Sequence, residues 1–434
     1  MLQRLDLRGR VQGTPIAELR ACLPRPEVAG GEPVAAVRDI IAAVRRDGDA
    51  ALRELTARFD GCDLPSPRVD PADIRAALDH IPRDLRAALE FAADRIRSFH
   101  ESQVITPHVH VVDGMTIEAR LQPVDRAGLY VPGGRAVYPS TVLMTAVPAR
   151  VARVPEIALC VPPGTDGRVP AATLAAAAIA GVDEVYAVGG AQAVAALAYG
   201  TETIRPVDVI AGPGNIYVAI AKREVAGTVG VPSAFAGPSE IVVIADETTV
   251  PAFAAVDLMV QAEHGPLGLA WLITWSPAAA DAITAELTAQ VAGASRRADI
   301  EATLGAGGRV ALVDSPTDAI AVANAIAPEH LQLLCADPAT LVPLVRHAGA
   351  VFCGPFAPAS IGDYVAGPSH VLPTDGTARF AGALTTRDFT KDIHVITLDR
   401  AAFERVAPHV ERLAAAEGLA AHADSVRRRR EWSR

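Results

Sequence analysis

The stretch QAEHGP (261–266) ends an otherwise apolar segment with an amide, a carboxylate and an imidazole. On a helix Gln261 and His264, three residues apart, share a face, while Glu263 points elsewhere. The dipole favours a cation in that last turn, so a capped helix end with a carbonyl-bonded histidine is the plain alternative. A second pair, Glu329-His330, stands in APEHLQLL. If its backbone is extended, the two side chains point to opposite faces and cannot form one dyad, which leaves them separate jobs. A neutral imidazole is the natural proton carrier near neutral pH; the dipeptide also reads as an ordinary junction. Asp363 and His370 lie in the Gly/Pro-rich IGDYVAGPSHVLPT, directly after the strand-like GAVFCG. Loops at strand carboxyl ends are where α/β proteins place ligands, although Asp363 also suits a turn. Glu417 and His422 stand among alanines in AEGLAAH, where helix packing needs neither and a solvent-facing pair is the other reading.

These side chains need elements to hold them. The helix before QAEHGP is expected to be capped by Thr249, to carry Pro251 in its first turn and to stop at Gly265-Pro266. Phe253, Val256 and Val260 would form its apolar face. Ser315-Pro316 start a second helix that must end near Ile326, because Pro328 follows. The first hundred residues read as helices, with a break at Gly48-Asp49, an Asp70 cap ahead of Pro71, and a helix over about 82–103. Asp113-Gly114 marks a hairpin. After Tyr130, EIALCVPP, DEVYAVGG and VDVIAGPG alternate with Ala-rich helical stretches; after Pro238, IVVIAD, LAWLITWS, RVALVD and GAVFCG resume the rhythm. Strand, Gly-rich turn and helix in succession imply βαβ units and parallel sheets. The expectation is an α/β protein with two such domains, 130–238 and 239–384. A helical region with the hairpin (1–129) would pack on the second domain, and a small helical tail (385–434) would follow.

Composition narrows the classes. The net charge of -10 argues against nucleic acid as a main partner. The one basic cluster, Arg427–Arg430, reads as a solvated helix end. Five cysteines, odd in number and without a CxxC pair, suit a reducing cytosol and argue against a disulfide framework or a thiolate zinc site. The N-terminus has no apolar signal segment, and the longest apolar run, 171–182, is too short for a bilayer. A soluble cytoplasmic protein without membrane contact is expected. Neither GxGxxG nor GxxxxGK[ST] occurs, but AGLYVPGG, VGGAQA and AGPGN are Gly-rich turns whose backbone N–H groups can hold a phosphate.

Set end to end, LYVPGG, VGGAQA, AGPGN, AGPSE, QAEHGP, APEHL, GDYVAGPSHVLPT and AEGLAAH resemble the histidinol dehydrogenase family in order and spacing. The resemblance implies one Zn²⁺ per subunit, held by Gln261, His264, Asp363 and His422, with Glu329 and His330 as catalytic acid/base residues. It sets Ser239, His370 and Glu417 around the substrate beside the metal ligands and His330. Tyr130, Gln192 and Asn215 match positions that contact NAD, on an incomplete Rossmann-like domain that explains the missing GxGxxG. The implied reaction oxidises L-histidinol to L-histidine with two NAD⁺, in a homodimer whose exchanged C-terminal tails complete shared active sites. One departure stands out: where the family usually has Gly-Ile-Asp before AGPSE, this chain has Val231-Pro232-Ser233, so a carboxylate is missing from that loop. Two rivals use the same residues. One is a family member acting on another alcohol, such as a sulfonated diol; the other is a zinc hydrolase needing no NAD.

Overall fold

Thirteen strands form among the described residues. In chain order they are β1 (Gln3–Asp6), β2 (His108–Val112), β3 (Met115–Pro123), β4 (Arg126–Tyr130), β5 (Glu156–Val161), β6 (Glu184–Ala187), β7 (Val209–Ala211), β8 (Glu240–Ala245), β9 (Leu269–Thr274), β10 (Gly308–Leu312), β11 (His330–Leu333), β12 (Ala350–Cys353) and β13 (Thr390–Leu398). The computed structural model describes residues 2–26, 33–133, 136–182, 184–232, 239–265 and 268–432. Gly134, Ser233, Pro266 and residues 236–238 of AGPSE therefore lie outside the described residues, as does much of the expected 238/239 boundary.

The chain divides into two units, Met1–Gln103 with Val124–Phe389, and Val104–Pro123 with Thr390–Arg434. The larger unit holds two parallel sheets, ordered β6-β5-β4-β7 and β1-β10-β9-β8-β11-β12. The α/β class with two parallel sheets is as expected. Strands such as IVVIA and LAWLI are apolar without alternation because helices cover both faces of each sheet.

Several local expectations hold for clear reasons. Gly48 takes φ 54 and ψ −129 inside Val34–Phe59, a conformation outside the helical region, so two helices meet there at a kink. The Asp70 side chain accepts the Ala72 N–H ahead of Pro71. Asp113 and Gly114 both take positive φ between β2 and β3, as a two-residue hairpin turn requires.

Others need correction. The first α/β layer begins at Arg126, not after Tyr130; Tyr130 ends β4. The N-terminal region is not wholly helical, because β1 pairs in parallel with β10 at the edge of the six-stranded sheet. The helices Val34–Phe59, Pro71–His80 and Arg83–Glu101 pack on helices of the four-stranded layer, not on the second layer. The C-terminal tail opens with a nine-residue strand, β13, whose KDIHVITL run alternates weakly. In the smaller unit β13, β3 and β2 form an antiparallel sheet, followed by helices Arg400–Ala416 and Ala420–Arg430 that pack together. Arg427–Arg430 end the last helix and are exposed, as expected. Among the described residues no helix is long and apolar enough to cross a membrane.

Candidate active site

The helix Pro251–Ala262 has Pro251 at its first position and Val250 as N-cap, without a side-chain cap. Thr249 does another job: its hydroxyl accepts the Asp246 N–H and donates to the Leu334 carbonyl. The expected apolar face is also the wrong one, since Phe253 and Val256 are exposed. The buried face is Leu258 with Ala254, Ala255 and Ala262, alanines that let the helix lie close on the sheet, and it carries Asp257 and Gln261 inward with them. At the end of this helix Gln261 Nε2 donates to Asp363 Oδ2 at 3.3 Å. His264 is exposed, with Nδ1 2.9 Å from Ser239 Oγ.

Asp363, expected in a loop, sits in the last turn of a short helix, Ala359–Tyr364. Its second oxygen meets His330 Nε2 at 3.2 Å. Burial opposes ionisation of Asp363, but the His330 bond and charge hold its carboxyl below the usual range. His370 Nδ1 donates to the Asp363 carbonyl at 2.8 Å and Nε2 pairs with Thr141 Oγ1 at 3.0 Å. His370 thus ties Asp363 to the helix Pro139–Val151 that follows β4.

Helix Pro316–Ile326 starts and stops as expected, with the Ser315 side chain accepting the Asp318 N–H. The predicted opposition of Glu329 and His330 fails. Glu329 lies one residue ahead of β11, after the left-handed Ala327, so strand alternation does not govern it. Its Oε2 takes the Glu240 N–H at 3.0 Å and lies 3.5 Å from His330 Nδ1. His330 Nδ1 in turn donates to the Glu240 carbonyl at 3.1 Å, which fixes the hydrogen on that nitrogen. Burial lowers the His330 pKa, but the Glu329 charge and the Asp363 bond outweigh it and lift it to about 10. Phe352 stacks on the ring, with centroids 5.9 Å apart.

Gln261, His264, Ser239, Glu329, His330 and Asp363 therefore gather at the amino ends of β8 and β11, not at the carboxyl ends anticipated from the loop after β12. Glu417, the C-cap of helix Arg400–Ala416, and His422, in helix Ala420–Arg430, belong to the smaller unit and are exposed. Among the described residues no three His, Cys, Asp or Glu side chains group tightly enough to hold a metal unaided, so the expected ligand set depends on a further donor such as the Gln261 amide. One imidazole, one carboxylate and an amide oxygen without thiolate suit a borderline divalent cation with open positions.

The other cluster lines the carboxyl ends of the four-stranded sheet, where α/β layers take ligands. Tyr130 ends β4, and its buried hydroxyl accepts the Gly190 N–H at 3.0 Å. Gln192 is buried in the first turn of helix Gly190–Tyr199. Asn215 caps helix Ile216–Val225 by accepting the Tyr217 and Val218 N–H groups. The sequence gives no functional role to Lys222, to Arg25 or to the side chain of Glu240 in AGPSE.

The histidinol dehydrogenase family model matches residues 23–430. The chain belongs to the histidinol dehydrogenase family. It is 50% identical over 400 residues to the histidinol dehydrogenase of a Synechococcus species, covering 92% of each chain. To that of Bacillus subtilis it is 45% identical over 394 residues, covering 91% of this chain and 92% of the relative. The crystal structure of histidinol dehydrogenase from Elizabethkingia anophelis superposes with a TM-score of 0.92 at 33% identity, covering 99% of this chain and 98% of that one. Membership carries NAD-dependent histidinol dehydrogenase activity in histidine biosynthesis, with zinc and NAD as the family's cofactors.

Proposed function

We propose that this cluster oxidises L-histidinol to L-histidine through the aldehyde, reducing two NAD⁺ per turnover. Asp363 carries the reading: one carboxylate meets both His330 Nε2 and Gln261 Nε2, so the proton-transfer pair and the metal donors converge. Zinc held by Gln261, His264, Asp363 and His422 supplies a Lewis acid for the amino alcohol when bound. Without substrate, Glu329 and Asp363 hold the His330 ring as the cation, with its Nε2–H on Asp363. In the first oxidation the ring, once it has given up that proton, takes the hydroxyl proton at Nε2 as hydride leaves the carbinol carbon for the nicotinamide. Its Nδ1–H stays on the Glu240 carbonyl, so the ring works from one tautomer. Glu329 then takes a proton from the water that adds to the aldehyde carbon, and the resulting gem-diol loses the second hydride to give the carboxylate. One alcohol, one water and two NAD⁺ become one carboxylic acid and two NADH, with the remaining hydrogens released as protons. Ser239, His370 and Glu417 are assigned to substrate contact, where Glu329 and Asp363 favour a cationic amine and imidazole over an anionic diol. Tyr130, Gln192 and Asn215 are assigned to NAD, supported by their place at the strand carboxyl ends.

The measurement is NADH formed per L-histidinol consumed by zinc-loaded protein, against an EDTA-treated control. Two NADH, lost with EDTA and regained with zinc, are expected. His330→Asn and Glu329→Gln should each lower kcat by about 10²–10⁴-fold. Turnover of another alcohol without NADH from histidinol would overturn the substrate, and absence of NADH from any alcohol would overturn the reaction.

A further inference from the structure

Glu240, the first residue of β8, carries a carboxylate that the proposed reaction does not use. It is 5% exposed, its Oε2 has no partner among the described residues, and burial pushes its pKa up to about 7 against the pull of Arg25. A carboxylate in such a place is costly. The main chain of the same residue grips both proton-transfer groups, its N–H on Glu329 Oε2 and its carbonyl on His330 Nδ1. The side chain is held elsewhere: Arg25 Nη1 donates to Glu240 Oε1 at 2.7 Å, and the Asp375 N–H to the same oxygen at 3.2 Å. Arg25 also reaches Asp375 Oδ1 at 3.3 Å and, through Nη2, the Ile326 carbonyl. Ile326 ends its helix, and Ala327, at φ 52 and ψ 61, turns the chain into Pro328-Glu329. One guanidinium therefore ties the start of β8 to the helix exit three residues ahead of Glu329. A planar fork suits that double task better than a point charge.

We propose that the Arg25–Glu240 pair is a positioning device that sets the Glu329 carboxylate and the His330 ring in register for proton transfer. The inference rests on reading Glu329 and His330 as the proton-transfer pair. An ordinary core ion pair would govern stability alone. A device acting through the Glu240 main chain must also govern kcat.

Arg25→Met leaves the Glu240 charge buried and unpaired, so the informative variant is R25M/E240Q, which removes clamp and charge together. We expect it to keep zinc content and the KM for histidinol and NAD while kcat falls about 10- to 100-fold, the range for loss of a supporting contact. R25K, which keeps the carboxylate paired but loses the fork, should fall between parent and double variant; it carries the test if the double variant does not fold. In an E329Q background the pair should cost little more, because its target is already gone. A kcat within about twofold of parent for both, or an undiminished loss in E329Q, overturns the inference. If E329Q and H330N collapse while R25M/E240Q does not, this inference alone fails. If E329Q and H330N keep parent kcat, the proton-transfer reading fails first.

Discussion

Lys222 is a buried lysine whose ammonium donates to the Gly212 carbonyl at 2.6 Å. Burial lowers its pKa to about 8. Gly212 stands at φ +115, and a Cβ there would lie 2.0 Å from the Tyr130 carbonyl oxygen, so the AGPGN turn leans directly on the Tyr130 main chain. Tyr130 in turn holds Gly190. Lysine, glycine and tyrosine thus lock two Gly-rich turns at the face assigned to NAD. Lys222→Met should release the turn and weaken NAD binding about tenfold or more, the scale of a lost charge-assisted bond, with zinc content unchanged. Quenching or enhancement of NADH fluorescence on titration reads this directly, and an unaltered Kd would reduce Lys222 to packing. The sequence did offer a signal, since Lys222 shares a helix face with Val218 and Val225 at spacings of i−4 and i+3. Glu240 closes the AGPSE motif, but nothing in the sequence links it to Arg25: their partnership spans 215 residues and exists only once the chain has folded.

The helix Pro251–Ala262 shows why side-chain type misleads at the level of elements. Large apolar residues imply an inward face, yet Phe253 and Val256 point out and alanines point in, because close helix-to-sheet approach rewards small volume. That choice buries Asp257, and burial raises its pKa from 3.8 to about 6. The fold thus prefers the neutral acid. Its stability is unpenalised below the unfolded value near 3.8, falls as pH rises toward 6, and then levels at a cost on the order of 3 kcal/mol or less. Asp257→Asn should raise Tm above pH 6 and give a shrinking advantage toward pH 4, which thermal melts at several pH values would show. A variant less stable at pH 8 would mean that the charge has a partner. Helix ends and the hairpin were legible because caps, prolines and Asp-Gly act locally, as at Asp70, Ser315 and Asp113. β1 and β13 were not, because four residues at a sheet edge and a mostly exposed strand owe their form to distant neighbours. The motif residues were placed by resemblance. Their arrangement at the amino ends of β8 and β11, with Glu329 folded back toward His330, was not readable from alternation.

At the scale of the molecule, the smaller unit has too little interior to account for its own surface. Every residue of β2 is exposed, and Val109, Val111, Ile393, Val395 and Ile396 present apolar side chains on a three-stranded sheet. That apolar surface is where the exchange implied by the resemblance would cover the sheet. Asp363, His264 and Gln261 sit in the larger unit and His422 and Glu417 in the smaller; the family resemblance implies a homodimer in which each site would take its tail from the other copy. Complementation tests this without any need to see the interface. His264→Asn and His422→Asn should each be inactive alone. If two chains share each site, a heterodimer of the two variants keeps one pairing of intact larger unit with intact tail and one doubly broken pairing. Random reassociation after mild denaturation should then restore about a quarter of parental activity, since half the dimers are mixed and each has one working site. If every chain builds its own site, both chains of the heterodimer carry a lesion and activity stays at zero. Recovery requires exchange; its absence, with mixed dimers shown by tag capture, would assign His422 to the site of its own chain.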